Sequence, residues 1–436
     1  MNRRKITYFC LSIFLLIACG EDRTYEYEAL TGAQQWIYKT AQTDYLYAED
    51  LPALEQKNYF LAPDEFLQRI ASDKDKKGSV YFSHIDSVDA VSEKINVVPT
   101  LGMETILLTG SSTAARVLYT YPQSPASDMG LTRGDWIIAI NGETITNSNY
   151  LSALVSPKSS CTLTLGSLRQ DGGFDTLRKV SLPAPRKVEK PSVYHHSIVE
   201  INGKKVAYLM YTSFSSDMAT LKNVVATWKS AGVEDVVLDL RYNNQGTLEQ
   251  AKEMGTLLLP ATAMGKPFLQ LTSNSTLNKK EILLWGESTA IGYNRLFIIT
   301  SSTTRATAEA LIHGLKPYWG DRLKVIGQTT TGQNVAQARY TNPLYPALEL
   351  WLTTSLITNT EGATYAEGIA PDYTIEENWS APMKKEYLGT SNEEIFAAVA
   401  YYIINGSFPT SEKEVNARIR VQNSSLKSLM FTLSPK

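Results

Sequence analysis

Cysteine is nearly missing from this 436-residue chain, which holds three: Cys10, Cys19 and Cys161. Two of them sit at the N-terminal end, so Cys161 is left without an intrachain partner. That excludes a disulfide framework, and no Cys/His spacing suits zinc. Histidine is scarce as well, at four residues. Excess charge of one sign is absent: 42 Lys and Arg face 44 Asp and Glu, a net of −2. A polyanion finds no attraction there, which excludes nucleic acid as the expected partner. No internal repeat or low-complexity segment stands out, and no pattern calls for a metal or organic cofactor. The apolar run "ITYFCLSIFLLIA" before Cys19 falls short of the ~20 residues a spanning helix needs.

What is present begins with that run. Arg3, Arg4 and Lys5 precede it, and Leu16-Ile17-Ala18-Cys19-Gly20 closes it. Residues 1–18 therefore read as an export signal. The cysteine directly after a small residue resembles the lipobox of bacterial lipoproteins, with a plain secretory signal as the alternative. The resemblance implies a lipid on Cys19 and a place at the bacterial cell envelope, on the periplasmic face or the cell surface.

Residues 19–30 read as a polar tether and 31–88 as a helical, aromatic unit containing Trp36, Tyr38, Tyr45 and Tyr47. Pro63 followed by Asp64 and Glu65 marks a helix start, and "SDKDKKGS" at 72–79 reads as a solvated loop. Over 89–186 the pattern alternates like strands: "TILLTG", "AARVLYTY", "GDWIIAING", "CTLTLGSL". "PAPRKVEKP" at 183–191 is a proline-flanked basic linker. From 192 to 378 strands alternate with helices, which implies parallel pairing through crossovers. In the last segment, 379–436, Ser391-Asn392-Glu393-Glu394 reads as a capping box opening the helix "IFAAVAYYII".

Two stretches carry a family likeness. Ser124-Pro125-Ala126, Gly130-Leu131, Gly134-Asp135-Trp136-Ile137 and Ile140-Asn141-Gly142 resemble a PDZ domain, with a purely structural β-domain as the alternative. The resemblance implies that a strand edge and the loop at Leu101, Gly102 and Met103 bind a peptide with its terminal carboxylate. "VAYLMYTSF" (206–214), "VVLDLRYNNQG" (236–246), "TTRATAEALIHGLKPY" (303–318), "VIGQTTTGQNV" (325–335) and "EGIAPDY" (367–373) resemble, in order, the S41 serine peptidases, the C-terminal processing or tail-specific proteases. The implied fold class is α+β multidomain: a helical N-terminal unit, a PDZ β-domain and an α/β core of the ClpP/crotonase-like kind.

In that family a serine attacks the peptide carbonyl and a lysine of lowered pKa takes its proton. The nucleophile segment resembles Thr-Ala-Ser-Ala-Ser-Glu, the attacking serine lying three residues before the glutamate. Counting back from Glu309 reaches Ala306. The lysine segment resembles Thr-Tyr-Gly-Lys-Asn-Val, and its lysine position holds Gln333. Both halves of the dyad are lost. Gln337 matches the glutamine that orients the dyad, whereas Gln245 and Gly246 stand where glycines approach the oxyanion, with bulk in Gln245. Thr304 and Thr307 are candidate substitute nucleophiles, although a shift from 306 to 307 turns a helical side chain by about 100°. His313 lies two turns on.

Three readings follow. One is a lipid-anchored pseudoprotease binding polypeptide C-termini or unfolded segments. A second is an active endopeptidase with a relocated nucleophile. The third is a scaffold with a vestigial cleft.

Overall fold

The computed structural model describes residues 24–87, 99–110, 112–214, 218–287 and 292–410; of 24–30 and Gln56 only the backbone is described. The expected export signal, Cys19 and residues 411–436 lie outside the described residues. The expected tether ends early, because a helix already begins at Thr24 and runs Thr24–Asp44.

That helix and Pro63–Ile70, with proline in its first turn, build a small apolar cluster from Ile37, Ala41, Tyr45, Phe66, Leu67 and Ile70. The cluster is completed by Leu350 and Leu352 of the protease-like core, and strand His84–Ser87 pairs with Leu348–Thr358. The N-terminal unit is thus sewn into the core sheet. The stretch 72–79 differs from its solvated expectation. Asp75 is fully buried and accepts from the Tyr45 hydroxyl at 3.0 Å and the Thr353 hydroxyl at 2.5 Å. Partners 30 and 278 residues away make its burial tolerable, and charge density along the sequence does not reveal them.

The second unit is an antiparallel sheet ordered Phe174–Leu182, Cys161–Leu168, Trp136–Ile140, Ala114–Thr120, Met103–Leu108. Gly134, at φ 93°, lies so near the core that a Cβ would sit 2.0 Å from the Met383 carbonyl oxygen. Two arginines fasten this sheet down. Arg116 donates to the carbonyls of Trp379 and Ala381. Arg133 donates to the Leu118 carbonyl at 2.7 Å, the Tyr242 hydroxyl at 3.1 Å and Glu377 at 2.6 Å.

The core sheet runs Val193–Ile201, Lys204–Tyr211, Asp235–Asp239, Arg295–Thr300, Leu323–Gly327, Tyr373–Thr374. Its first pair is a hairpin closed by Asn202-Gly203, both at positive φ, the turn chemistry of a two-residue loop. The other pairings are parallel. Helices Met218–Ala231, Leu248–Leu258 and Thr307–Trp319 share one apolar cluster with Phe268 and Trp285. The last helix, Glu394–Asn405, is capped by Glu393 rather than Ser391: its carboxylate accepts from the Phe396 N–H at 2.9 Å. Glu393 is held in place by Arg241 at 2.9 Å, a tertiary contact that the local capping pattern does not contain.

Candidate functional site

Loops leaving the carboxyl ends of parallel strands are where open α/β sheets place their ligands. Four such loops meet here: 212–214, 240–247, 301–306 and 328–334. Cross-bonds fix them together. Phe214 N–H donates to the Gln245 carbonyl at 3.1 Å, Arg305 N–H to Asn243 at 3.1 Å, and Thr331 N–H to Thr304 at 3.0 Å.

Ala306 stands just before the Thr307–Trp319 helix with φ 55° and ψ −114°. This is the strained strand-to-helix turn on which hydrolytic serines are mounted, and here it carries a methyl group. The helical step of about 100° from 306 to 307 does not apply, because residue 306 lies outside the helix at φ 55°. Glu309 holds the turn. Its Oε2 accepts from the N–H groups of Ala306 and Gln333, both at 2.9 Å. Its Oε1 accepts from the Thr330 hydroxyl and the Gly332 N–H, both at 2.5 Å. Burial pushes the Glu309 carboxyl above its ordinary range, against the pull of these four donors.

Gln333 is 4% exposed. Its Nε2 donates to Gln337 Oε1 at 3.3 Å, and Gln337 Nε2 in turn donates to the Phe82 carbonyl at 2.6 Å. Gln337 therefore orients Gln333, whose Oε1 has no partner among the described residues. Neither amide accepts a proton at neutral pH.

The substitutes fare differently. The Thr304 hydroxyl is buried, donates to the Leu240 carbonyl at 2.9 Å and accepts from the Ser301 N–H at 2.9 Å. Thr307 is buried and makes no side-chain hydrogen bond among the described residues. His313 Nε2 lies 2.8 Å from the Ala363 carbonyl; a carbonyl only accepts, so that nitrogen carries the proton. Burial lowers the His313 pKa and keeps the ring neutral.

Gln245 donates from Nε2 to the Ser213 hydroxyl at 3.3 Å. Gly246, at φ 138°, packs so closely that a Cβ would lie 2.1 Å from Phe214 Cβ. Leu101 and Met103 are 1% and 5% exposed, and the Gly102 carbonyl accepts from the Tyr121 N–H at 2.7 Å. Their strand is the sheet edge, but Tyr150 donates its hydroxyl to the Thr105 carbonyl at 3.0 Å.

Arg305 escaped the sequence reading. Alanine stands there in the family segment, and that difference was the available signal. Among the described residues no group of His, Cys, Asp and Glu is arranged to hold a metal.

Residues 205–375 match the model of peptidase family S41, 116–165 a PDZ domain, and 32–84 the peptidase S41 N-terminal domain. The carboxy-terminal processing protease CtpA of Bacillus subtilis is 26% identical over 219 residues, 49% of this chain and 43% of that protein. CtpB of the same organism is 24% identical over 264 residues, covering 60% and 51%. The chain spans about half the length of the curated relatives it matches. A crystal structure described as an S41 protease from Bacteroides fragilis superposes with a TM-score of 0.72 at 28% identity, covering 85% of this chain and 97% of that one. The photosystem II D1 C-terminal processing protease shares the fold at a TM-score of 0.50 and 16% identity, covering 79% and 93%. With three adjoining domain matches in order over one continuous fold, the chain belongs to peptidase family S41, with its N-terminal domain and a PDZ domain.

Proposed function

We propose that this chain is a non-hydrolysing member of the family, held at the cell envelope by lipid on Cys19, that binds unfolded polypeptide segments or polypeptide C-termini. The observation that carries the reading is Ala306 itself: the turn is kept at φ 55° and ψ −114° while the attacking oxygen is gone. A methyl group forms no acyl-enzyme, and Gln333 takes no proton. Removing the nucleophile from such a unit costs about a millionfold in turnover. What remains is the meeting point of four loops, with backbone and side-chain groups suited to holding a chain, and a PDZ unit joined to the core through Arg133.

Proteolysis of an unfolded protein by the chain from Gly20 onward tests this, with the Ala306→Ser, Gln333→Lys double variant alongside. The wild type should not cut while still binding the substrate, and the double variant should cut. Cutting by the wild type that disappears in Thr307→Ala would reverse the reading. For the anchor, a Cys19→Ser variant of the whole chain should leave the membrane fraction; continued retention there argues against lipidation.

A further inference from the structure

The last helix, Glu394–Asn405, crosses the strands of the core sheet instead of following them. Phe396 packs on Tyr208 of the second strand with ring centroids 5.6 Å apart, and Tyr402 packs on Phe297 of the fourth, also at 5.6 Å. Tyr208, Val237 and Phe297 are register partners on adjacent strands, so the helix lies across that row. Beyond the helix, Phe408 stacks on Tyr373 at 4.8 Å with the rings 11° from parallel. The chain thus walks outward to the last strand, Tyr373–Thr374, and its described part ends there at Thr410.

That strand leaves an open edge. It pairs with Leu323–Gly327 on one side, and the Ile375 N–H continues the ladder to the Gly327 carbonyl at 3.0 Å. Among the described residues no strand lies on its other side. Its two faces differ. Tyr373 and Ile375 pack against the apolar cluster that also receives Tyr402 and Phe408, whereas Asp372, Thr374 and Glu376 are exposed. Asp372 gives one oxygen to the Val325 N–H at 2.7 Å. A bare edge of this kind pairs with other chains unless something covers it.

The sequence that follows has the pattern of a strand. "VNARIRVQ" at 415–422 is apolar at 415, 417, 419 and 421, with Arg418 and Arg420 on the other parity and no acidic residue. A period of two over eight residues suits a half-buried strand. Its apolar face matches Tyr373 and Ile375, and its basic face matches Asp372 and Glu376, the opposite-charge pairing that neighbouring strands favour. Residues 409–414 can span about 20 Å, far more than the ~4.8 Å between neighbouring strands. The sheet's other edge, Val193–Ile201, lies at the end where the helix begins, not where it finishes.

We propose that residues 415–422 add a seventh strand to the six of the core sheet, against the free edge of Tyr373–Thr374, with Arg418 and Arg420 beside Asp372 and Glu376. The chain then covers its own sheet edge. This pairing is independent of what the loops around Ala306 bind.

Hydrogen exchange read by mass spectrometry, on the full chain in detergent, tests it. Amides of 415–422 should exchange about a hundredfold or more slower than an unstructured chain. Ile419→Pro removes an N–H from the ladder. It should return 415–422 to the unstructured rate and speed exchange over 372–376 about tenfold. Arg418→Glu with Arg420→Glu should weaken the protection, and adding Glu376→Arg should restore part of it. Slow exchange across Glu394–Asn405 in each variant shows that the fold is kept. Exchange of the wild-type 415–422 at the unstructured rate overturns the proposal. Slow exchange there, with 372–376 indifferent to Ile419→Pro, overturns it too and seats the tail elsewhere. Protection that fades on dilution assigns the strand to a second copy and overturns pairing within one chain.

Discussion

An alanine at φ 55° and ψ −114° pays for a conformation that glycine adopts freely, at roughly 1 kcal/mol or more. The turn is imposed by its surroundings: the Ala306 N–H is held by Glu309, and its neighbour Arg305 by Asn243. Ala306→Gly should therefore leave stability unchanged or raise it by up to about 1 kcal/mol, read from urea midpoints. Ala308→Gly, buried inside the same helix, should lose about 1 kcal/mol. A loss of that size at 306 would mean the turn is not strained. The expectation that Ala306 and Gln333 stand at the dyad positions comes from ordered motifs that fix the count on both sides. Arg305 is harder to place from sequence: an arginine there reads as a solvated charge, and only the fold shows its Nε closed off from water without a hydrogen-bond partner among the described residues. Asp75 was hidden among the lysines of 72–79, because its hydroxyl partners Tyr45 and Thr353 lie 30 and 278 residues away.

At the scale of elements, Glu309 joins the amino end of the Thr307–Trp319 helix to the 330–333 loop through four donors. Glu309→Gln replaces one acceptor oxygen with an NH₂ group that faces N–H donors. The expected loss is about 2–3 kcal/mol, measured by thermal melting, together with failure of the Ala306→Ser, Gln333→Lys variant to cut when Glu309→Gln is added. An unchanged melting temperature would mean that the clamp does not hold the two elements. Strand and helix alternation over 192–378 was readable, since each buried parallel strand is a short apolar run followed by an amphipathic helix. The start of the last helix was misplaced by two residues because its true cap, Glu393, is recruited by Arg241. Such a choice belongs to packing, which no local pattern encodes.

On the scale of the whole molecule, two buried carboxylate systems hold the units together, and they respond to acid in opposite senses. Between the PDZ unit and the core, Arg241 sits among Asp239, Glu377 and Glu393 while Arg133 shares Glu377. Burial alone would raise the Asp239 carboxyl, but Arg241 and the Tyr208 hydroxyl hold it below its ordinary range. Between the N-terminal unit and the core, Asp75 has no cation partner among the described residues. Burial pushes its carboxyl up to about 6, with three donors resisting. A group raised in the folded state binds its proton more tightly there than in the unfolded chain. Its contribution is fully present below the unfolded value near 3.8 and fades as pH rises through about 6. Linkage over that interval amounts to about 3 kcal/mol. Asp75→Asn removes this titration and keeps one acceptor oxygen, while the hydroxyl that meets its NH₂ group can turn to accept. Urea unfolding at pH 5 and pH 8 should therefore show the wild type losing stability toward pH 8 relative to Asp75→Asn, which lacks that component. Parallel profiles for the two proteins would show that Asp75 stays ionised in the fold, and that its three donors outweigh its burial.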